Sequence, residues 1–391
     1  MDFDPSWLLI SLPVAFVLGW LASRFDIRQL KLENRQAPKA YFRGLNFLLN
    51  EQQDQAIDAF IEAVQNDPDT QELHFALGNL FRRRGEYQRA VRVHEHLLSR
   101  GDLSRADRDR AQHALAQDFL RAGLLDRAEA ALQKLEGTRY EDEARLALLA
   151  IYERSREWTQ ASAVAQKLDE SDQASYGTRR AHYLCEQAAE HVSRGELEEA
   201  ERLLAQAAQI APTAPRPAIE SAALQLRKGA PAQAFETLVD LAETAPLALP
   251  LYASLMQQAA TASQRSGEAL ALLQRRYAAA PSIDVVEAIV ALGGTTLVDE
   301  EANAAVSCPR DSYIAHLQQQ PSLVAASRWL AGERFEREAL HPPVQRAIEQ
   351  AVRPLMRYRC AACGFEAHQY FWHCPGCQAW DSYPPRRVEE L

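Results

Sequence analysis

Four cysteines near the C-terminus carry the clearest chemistry in this sequence. They form two C-x-x-C pairs, Cys360 with Cys363 and Cys374 with Cys377, separated by ten residues. A C-x-x-C turn directs both sulfurs at one point and leaves backbone N–H groups pointing at them. Two such turns close a tetrahedral four-sulfur site, which suits zinc or iron. The spacing therefore predicts one bound metal ion, Fe or Zn.

A very small module, residues 356–391, has to position these thiols. Gly364 follows the first pair, where a residue with positive φ is often needed. His368 and His373 are alternative ligands, but four cysteines complete the coordination without them. Because the module is so short, we expect the metal to supply much of its folding free energy and its aromatic residues to pack against neighbouring helices. These residues are Tyr358, Phe365, Tyr370, Phe371, Trp372 and Trp380.

Charge and composition limit the classes of function. The chain has 391 residues, 47% of them apolar, and a net charge of −10. A large core can be buried, and an acidic chain is a poor general binder of nucleic acid. Residues 353–391 hold five arginines against four acidic residues, and a divalent ion with four thiolates adds −2, which also disfavours nucleic acid. Cys185 and Cys308 are isolated, so a reducing compartment is expected rather than a disulfide scaffold.

The N-terminus predicts a membrane anchor. Residues 5–23 contain no charged side chain, and a helix of that length spans about 28 Å, enough for the hydrocarbon core. Two aspartates precede this stretch and four basic residues follow it within 24–37, which places the remaining chain in the cytoplasm. We predict a transmembrane anchor at 1–23 and a basic juxtamembrane linker at 24–37. A cleaved signal peptide would need a basic start, and this one is acidic.

A repeat of about 34 residues runs from 38 to 281. In seven units, the last degenerate, small and large apolar residues recur in phase, and a turn glycine or a closing proline marks every unit except the fourth. The first unit has Gly44, Phe47, Ala56, Phe60, Ala63 and Pro68. This is the tetratricopeptide pattern of two helices joined by a tight turn. Small residues let the two helices approach, and turn glycines such as Gly85 and Gly123 end the first helix. Residues 282–355 lose the phase and predict a helical extension.

The concave face of such a repeat array predicts a partly basic, polar groove for a peptide or a partner helix. We name this the predicted partner groove; solvated helix residues without a ligand are the alternative. No phosphate loop, nucleophile elbow or zinc-protease motif occurs, so an enzyme is not expected. By register the groove is lined by Phe75, Asn79, Arg82, Arg83, His113, Gln117 and Arg121.

The motifs YRC-x-x-CGF and WHCP-x-C-x-AW, with the anchor and the repeats, resemble the lipopolysaccharide assembly protein B family over essentially the whole chain. The resemblance implies an all-α fold: a tetratricopeptide-repeat superhelix with an N-terminal transmembrane helix and a small C-terminal rubredoxin-like metal knuckle. The two pairs lie closer together than in a rubredoxin. Gln378 also stands where a glycine is usual, and both departures argue against electron transfer.

The resemblance implies a non-enzymatic regulator of lipopolysaccharide synthesis, single-pass in the inner membrane with its soluble part in the cytoplasm. Such an adaptor promotes proteolysis of the lipid A deacetylase LpxC by the FtsH protease and is restrained by a PbgA/YejM-type membrane regulator. Other lipopolysaccharide assembly proteins are further expected partners. A general scaffold for envelope assembly enzymes and an iron-dependent redox module are the alternatives. The metal, the client-binding face and a homodimer stay open.

Overall fold

Helices make up most of the chain that the structure, a computed structural model, describes. Two compact units divide between Ile151 and Tyr152. Apart from Phe16 and Trp20, the predicted anchor at 1–23 and linker at 24–37 lie outside the described residues. Among the described residues, no helix has the length and apolar character needed to cross a membrane. The described residues are 16, 20, 42–47, 49–50, 52–66, 71–170, 175–294, 308–333 and 341–391.

In the first unit, consecutive helices from α1 to α5 pack against one another, and α2 also contacts α4. Contacts between next-but-one helices are what stacked helix-turn-helix repeats produce. The helices are α1 (Gln53–Asn66), α2 (Gln71–Arg83), α3 (Tyr87–Ser99), α4 (Arg105–Ala122), α5 (Leu125–Gln133) and α6 (Glu141–Ser155), the last of which continues into the second unit.

The second unit continues the same packing, because α8 contacts α10, α10 contacts α12 and α12 contacts α14. In the described parts of 283–355, four short helices follow the repeats before the metal module begins. The helices are α7 (Trp158–Glu170), α8 (Gly177–Arg194), α9 (Leu197–Ile210), α10 (Pro215–Arg227), α11 (Pro231–Thr244), α12 (Leu249–Ala262), α13 (Ser266–Ala279), α14 (Ile283–Ala291), α15 (Asp311–Gln319), α16 (Leu323–Leu330) and α17 (His341–Val352).

Small residues let paired helices approach closely, as the repeat pattern predicted. A Cβ atom added to Gly44 would lie 2.9 Å from the Phe60 ring, and one added to Gly78 would lie 2.5 Å from the ring of His94. His94 thus occupies in the second repeat the position that Phe60 occupies in the first. The turn glycines also behave as predicted: Gly123 ends α4 with a φ of +73° and Gly195 ends α8 with a φ of +82°.

The metal module has little regular structure. Strand β1 (Tyr358–Arg359) pairs antiparallel with β2 (Glu366–Ala367), and an isolated bridge joins His373 to Trp380. A 3₁₀ turn covers Val388–Glu390. The helical repeat fold with its small C-terminal metal module therefore matches the fold predicted for the described residues.

Candidate metal centre

The four predicted ligands meet at one point. Their sulfur atoms all lie within 4.8 Å of one another. Cys360 Sγ lies 3.8 Å from Cys377 Sγ, and Cys363 Sγ lies 3.7 Å from Cys374 Sγ. A tetrahedral zinc site with Zn–S bonds of about 2.3 Å has sulfur–sulfur edges of about 3.8 Å. The cage therefore has the size and the donor set for one metal ion.

Two knuckles of the same geometry build the cage. In the first, Cys360 N donates to Phe365 O at 2.9 Å and Gly364 N donates to Cys360 O at 2.9 Å. In the second, Cys374 N donates to Ala379 O and Gln378 N donates to Cys374 O, both also at 2.9 Å. The same loop therefore recurs fourteen residues later, and each copy supplies two thiols.

Gln378 closes the second knuckle in the conformation that Gly364 adopts in the first. Gly364 has a φ of +78° and Gln378 a φ of +61°, both in the left-handed region. The Gln378 side chain donates to Pro375 O at 3.3 Å, a local hydrogen bond of the kind that helps polar residues tolerate this region. The glutamine therefore leaves the knuckle geometry intact and is not by itself an argument against electron transfer.

The thiols differ in how readily they ionise. Burial opposes ionisation of Cys360, but hydrogen bonds from the Ser382 hydroxyl and from the backbone of Cys363 and Ala362 outweigh it and lower its pKa to about 6. The backbone N–H of Phe365 favours ionisation of Cys363, yet burial and the neighbouring thiols raise its pKa to about 12. Ionisation of one thiol thus disfavours ionisation of its neighbours, because the negative charges repel one another. A bound cation would offset this repulsion.

The cage has a buried and an exposed side. Cys360 and Cys374 are 1% and 0% exposed, whereas Cys363 and Cys377 lie at the surface. The buried pair packs with Tyr358 and Tyr383, and Leu251 of α12 and the Tyr370 ring lie against this cluster. The metal site therefore belongs to the core that joins the module to the helices of the second unit.

Aromatic stacking fixes one flank of the module on α6 and α8. The Trp380 ring lies between His373 and His182, with centroid distances of 4.3 and 4.9 Å. Its indole Nε1 donates to Glu153 Oε1 at 2.9 Å, and the Tyr183 hydroxyl donates to the same oxygen at 2.5 Å. Burial raises the pKa of Tyr183 above its usual range, so its hydroxyl keeps the proton that it donates.

A polar chain centred on the buried side chains of His182 and Arg216 continues from this stack into the repeats. His182 Nε2 lies 2.9 Å from Asp381 Oδ2, and Arg216 Nη1 lies 3.5 Å from His182 Nδ1. Arg216 also donates to Glu186 at 2.7 Å and to Glu220 at 2.6 Å. Burial raises the pKa of Glu220 against the opposing effect of Arg216. Each member of the chain has a partner, as a buried polar network requires.

The opposite flank is held by Arg387. Its guanidinium forms hydrogen bonds to both carboxylate oxygens of Asp284 on α14, at 2.8 and 3.0 Å, and lies 4.1 Å from the centre of the Tyr358 ring. The side chains of Arg387 and Asp284 are 17% and 12% exposed. A bidentate, largely buried pair of this kind is directional as well as strong.

Two glutamates beside it cap helices of the extension. Glu389 accepts from Leu323 N at 2.5 Å and from the Ser322 hydroxyl at 2.7 Å, at the start of α16. Glu390 accepts from Ile283 N at 2.6 Å, at the start of α14. A carboxylate at a helix N-terminus satisfies free N–H groups and complements the helix dipole. The segment Arg387–Glu390 therefore binds the module to both helices.

The residues of the predicted partner groove lie in the first unit, and one of them was placed wrongly. Phe75 is 2% exposed: its ring packs beside His94, and the guanidinium of Arg110 covers it at 4.0 Å. Periodicity places it on the helix but does not reveal that neighbouring side chains cover it. Arg83 and Arg121 are exposed.

Four other groove residues pair with each other or with their neighbours. Arg82 donates to Asp118 Oδ1 at 2.9 Å and to Asn79 Oδ1 at 2.5 Å. His113 stacks on a tyrosine ring and lies 3.4 Å from the amide of Gln117. Burial lowers the pKa of His113. The structure thus brings these residues together on α2 and α4, while their binding of a partner stays a prediction.

Comparison with known proteins gives two family matches and full-length relatives. The rubredoxin metal binding domain matches residues 358–384, and a tetratricopeptide repeat matches residues 73–109. The chain is 31% identical to lipopolysaccharide assembly protein B of Escherichia coli (strain K12) over 389 residues, 97% of this chain and 98% of that one. It is 26% identical to the protein of the same name from Haemophilus influenzae over 413 residues, 98% of each chain.

Among solved structures, a tetratricopeptide repeat protein from Parabacteroides merdae aligns with a TM-score of 0.32 and 16% identity, covering 66% of this chain and 98% of that one. A complex described as Naa15/Naa10 bound to HypK-THB aligns with a TM-score of 0.44 and 15% identity, covering 82% and 48%.

Proposed function

The chain belongs to the lipopolysaccharide assembly protein B family, and we propose on that basis that it is a non-enzymatic scaffold in lipopolysaccharide assembly. In this proposal residues 1–23 hold it in the inner membrane as a single-pass protein, with the repeats and the metal module on the cytoplasmic side. The metal ion would be held by Cys360, Cys363, Cys374 and Cys377. Its role would be to give the module its shape, as a structural zinc does.

One observation carries the proposal: the metal module is built into the helical scaffold. The Trp380 stack on one flank and the Arg387–Asp284 pair on the other both tie it to helices of the second unit. A module held on both flanks is suited to presenting a fixed surface to a partner. The metal then acts on function through folding, because the buried thiols Cys360 and Cys374 belong to the joining core.

The finer proposal concerns proteolysis. The chain would bring the LpxC deacetylase to the FtsH protease at the membrane, and a PbgA/YejM-type regulator would limit this delivery. Anchoring adaptor, client and protease to one membrane raises their effective concentration, which lets weak contacts suffice. The predicted partner groove and the exposed face of the metal module are the two candidate client surfaces.

Client turnover tests this proposal in a depletion strain. Loss of the chain should lengthen the half-life of the deacetylase and raise its level, and wild-type chain should restore both. Cys360→Ser/Cys363→Ser should fail to restore them, because the module loses two ligands. Cys308→Ser, an exposed cysteine outside the site, is the matched control and should act as wild type. An unchanged client half-life after depletion would contradict the adaptor role.

A pull-down from solubilised membranes separates the adaptor from a general scaffold. The adaptor account expects both protease and deacetylase to be recovered with wild-type chain and to be lost with Cys360→Ser/Cys363→Ser. Recovery of other lipopolysaccharide assembly proteins, together with normal client decay in a null strain, would favour the general scaffold.

The exposure of Cys363 and Cys377 favours a second candidate, an iron-dependent redox module, because an electron partner could approach that side of the cage. Metal content and absorption of protein purified without oxygen test it. The scaffold account holds if the protein carries zinc and shows no sulfur-to-iron charge-transfer band. Reversible iron oxidation in stoichiometric amount would favour the redox module.

A further inference from the structure

The two buried thiols each face a side-chain hydroxyl from two consecutive residues. Ser382 Oγ lies 3.2 Å from Cys360 Sγ, and the Tyr383 hydroxyl oxygen lies 3.8 Å from Cys374 Sγ. The exposed thiols have a different kind of donor. The backbone N–H groups of Phe365 and Ala379 donate hydrogen bonds to Cys363 and Cys377. Side-chain donors are therefore confined to the half of the cage that faces the helices.

Ser382 is held in place by its own backbone. Ala361 N, inside the first knuckle, donates to Ser382 O at 2.7 Å. The Ser382 hydroxyl has one proton and two acceptors within reach, Cys360 Sγ at 3.2 Å and Ala379 O at 3.3 Å. A thiolate is the stronger acceptor because a hydrogen bond to an ionised group is stronger than one to a neutral carbonyl. Once the Cys360 thiol is ionised, the Ser382 hydroxyl therefore donates its hydrogen bond to Cys360 Sγ.

Tyr383 is just as constrained. It is 2% exposed, and the Tyr370 hydroxyl donates to its backbone oxygen at 2.9 Å. An ordinary tyrosine hydroxyl carries its proton at neutral pH and can donate it, and this one lies 3.8 Å from Cys374 Sγ. Its ring belongs to the cluster that Leu251 of α12 covers. The donor on Cys374 is therefore fixed by packing against the repeats.

We propose that Ser382 and Tyr383 are positioning residues of the metal centre: their hydroxyls donate to the buried thiolates of Cys360 and Cys374 and set how tightly the metal is held. Groups that donate to or orient metal ligands change metal affinity by about 10- to 100-fold when removed. The shorter Ser382 contact carries the larger share. This assignment does not depend on the proposed role in lipopolysaccharide assembly.

The test uses the full-length, detergent-solubilised chain loaded with Zn(II), with the zinc dissociation constant read by competition with a chelator. Ser382→Ala should raise this constant about 10-fold or more. Tyr383→Phe should raise it less, and Ser382→Thr, which keeps the hydroxyl, should restore it. The matched control is Tyr358→Phe, which removes a hydroxyl from another buried ring of the same cluster and keeps the ring. It should bind zinc as wild type does.

A Co(II)-substituted sample gives a readout that a packing defect would not move. Loss of the Ser382 hydroxyl should shift the sulfur-to-cobalt charge-transfer band, and Tyr358→Phe should leave it in place. Two results would overturn the proposal. One is a Ser382→Ala zinc constant and cobalt band equal to those of wild type. The other is a Ser382→Thr variant as weak as Ser382→Ala, since the hydroxyl would then be irrelevant. A Ser382→Ala chain that binds no metal while Ser382→Thr binds normally supports it.

Discussion

The helical repeats and the metal module hold their folds by different means. In the repeats of the second unit, large side chains such as Phe235, Tyr252 and Leu238 are fully buried between helices. In the module, the buried centre consists of two tyrosines and two of the metal ligands, Cys360 and Cys374. The described repeat cores are therefore built without metal ligands, whereas half of the buried centre of the module consists of thiols that stabilise it mainly by binding a metal.

The contrast explains why the module is fastened to the helices on two flanks. A core so small cannot bury enough apolar surface to be stable alone. The stack on Trp380 and the Arg387–Asp284 pair add packing and directional hydrogen bonds that the module cannot supply itself. Metal binding and docking thus stabilise the same part of the chain.

The largest expected effect is removal of the metal. Structural zinc contributes about 10 to 16 kcal/mol of apparent free energy in zinc-finger peptides, so Cys360→Ser/Cys374→Ser should unfold residues 358–384. The repeats should keep their helical circular dichroism because their cores contain no ligand. Limited proteolysis should then cleave within the module first. An intact module in this variant would show that docking suffices without metal.

A smaller effect is expected from breaking the fastening at Arg387. Arg387→Met leaves the Asp284 carboxylate, which is 12% exposed, without its partner. Breaking a fully buried pair in this way lowers the free energy of unfolding by about 3 to 5 kcal/mol. The loss should be somewhat smaller here because this pair is partly exposed. Urea unfolding of zinc-loaded protein measures it. Arg386→Met, an exposed neighbour, should change the free energy of unfolding by no more than about 0.5 kcal/mol. Equal effects of the two substitutions would contradict the account.

In the repeats, Gly78→Ala should disturb packing rather than chemistry. The new Cβ would lie 2.5 Å from the His94 ring, and overpacking of this kind costs about 1 to 3 kcal/mol. Gly267→Ala in α13 is the control, since nothing lies within 4 Å of a Cβ there, and alanine should stabilise that helix by up to about 1 kcal/mol. Thermal unfolding compares the two variants. A melting temperature of Gly78→Ala above that of wild type would contradict the packing argument.

The smallest effect concerns pH. Burial lowers the pKa of His316, whose Nδ1 lies 2.9 Å from the Tyr277 hydroxyl. The unfolded chain therefore binds a proton more readily than the folded chain, and stability falls as the pH drops below the ordinary histidine pKa of about 6.5. The melting temperature of His316→Asn should depend less on pH between 7 and 5 than that of wild type. An equal slope would assign the pH dependence to other groups.

The metal cage and the close packing of paired helices were predictable from residue spacing. The cysteine spacing predicted the cage, and small residues such as Gly78 predicted close helix approach, because both patterns are local. The fastening contacts were not predictable: Trp380 and Glu153 are 227 positions apart, and Arg387 and Asp284 are 103 apart. No local pattern links such pairs. The prediction that Phe75 lines the groove was wrong for a related reason, since the residues that bury its ring lie on α3 and α4.

Hydrogen exchange of full-length protein, measured with bound zinc and after chelation, tests most directly whether the metal holds the module on the repeats. The account predicts faster exchange in residues 358–384 and also in the parts of α6 and α8 that contact Trp380, with α9 unchanged. Faster exchange confined to the module, or no change anywhere, would contradict it.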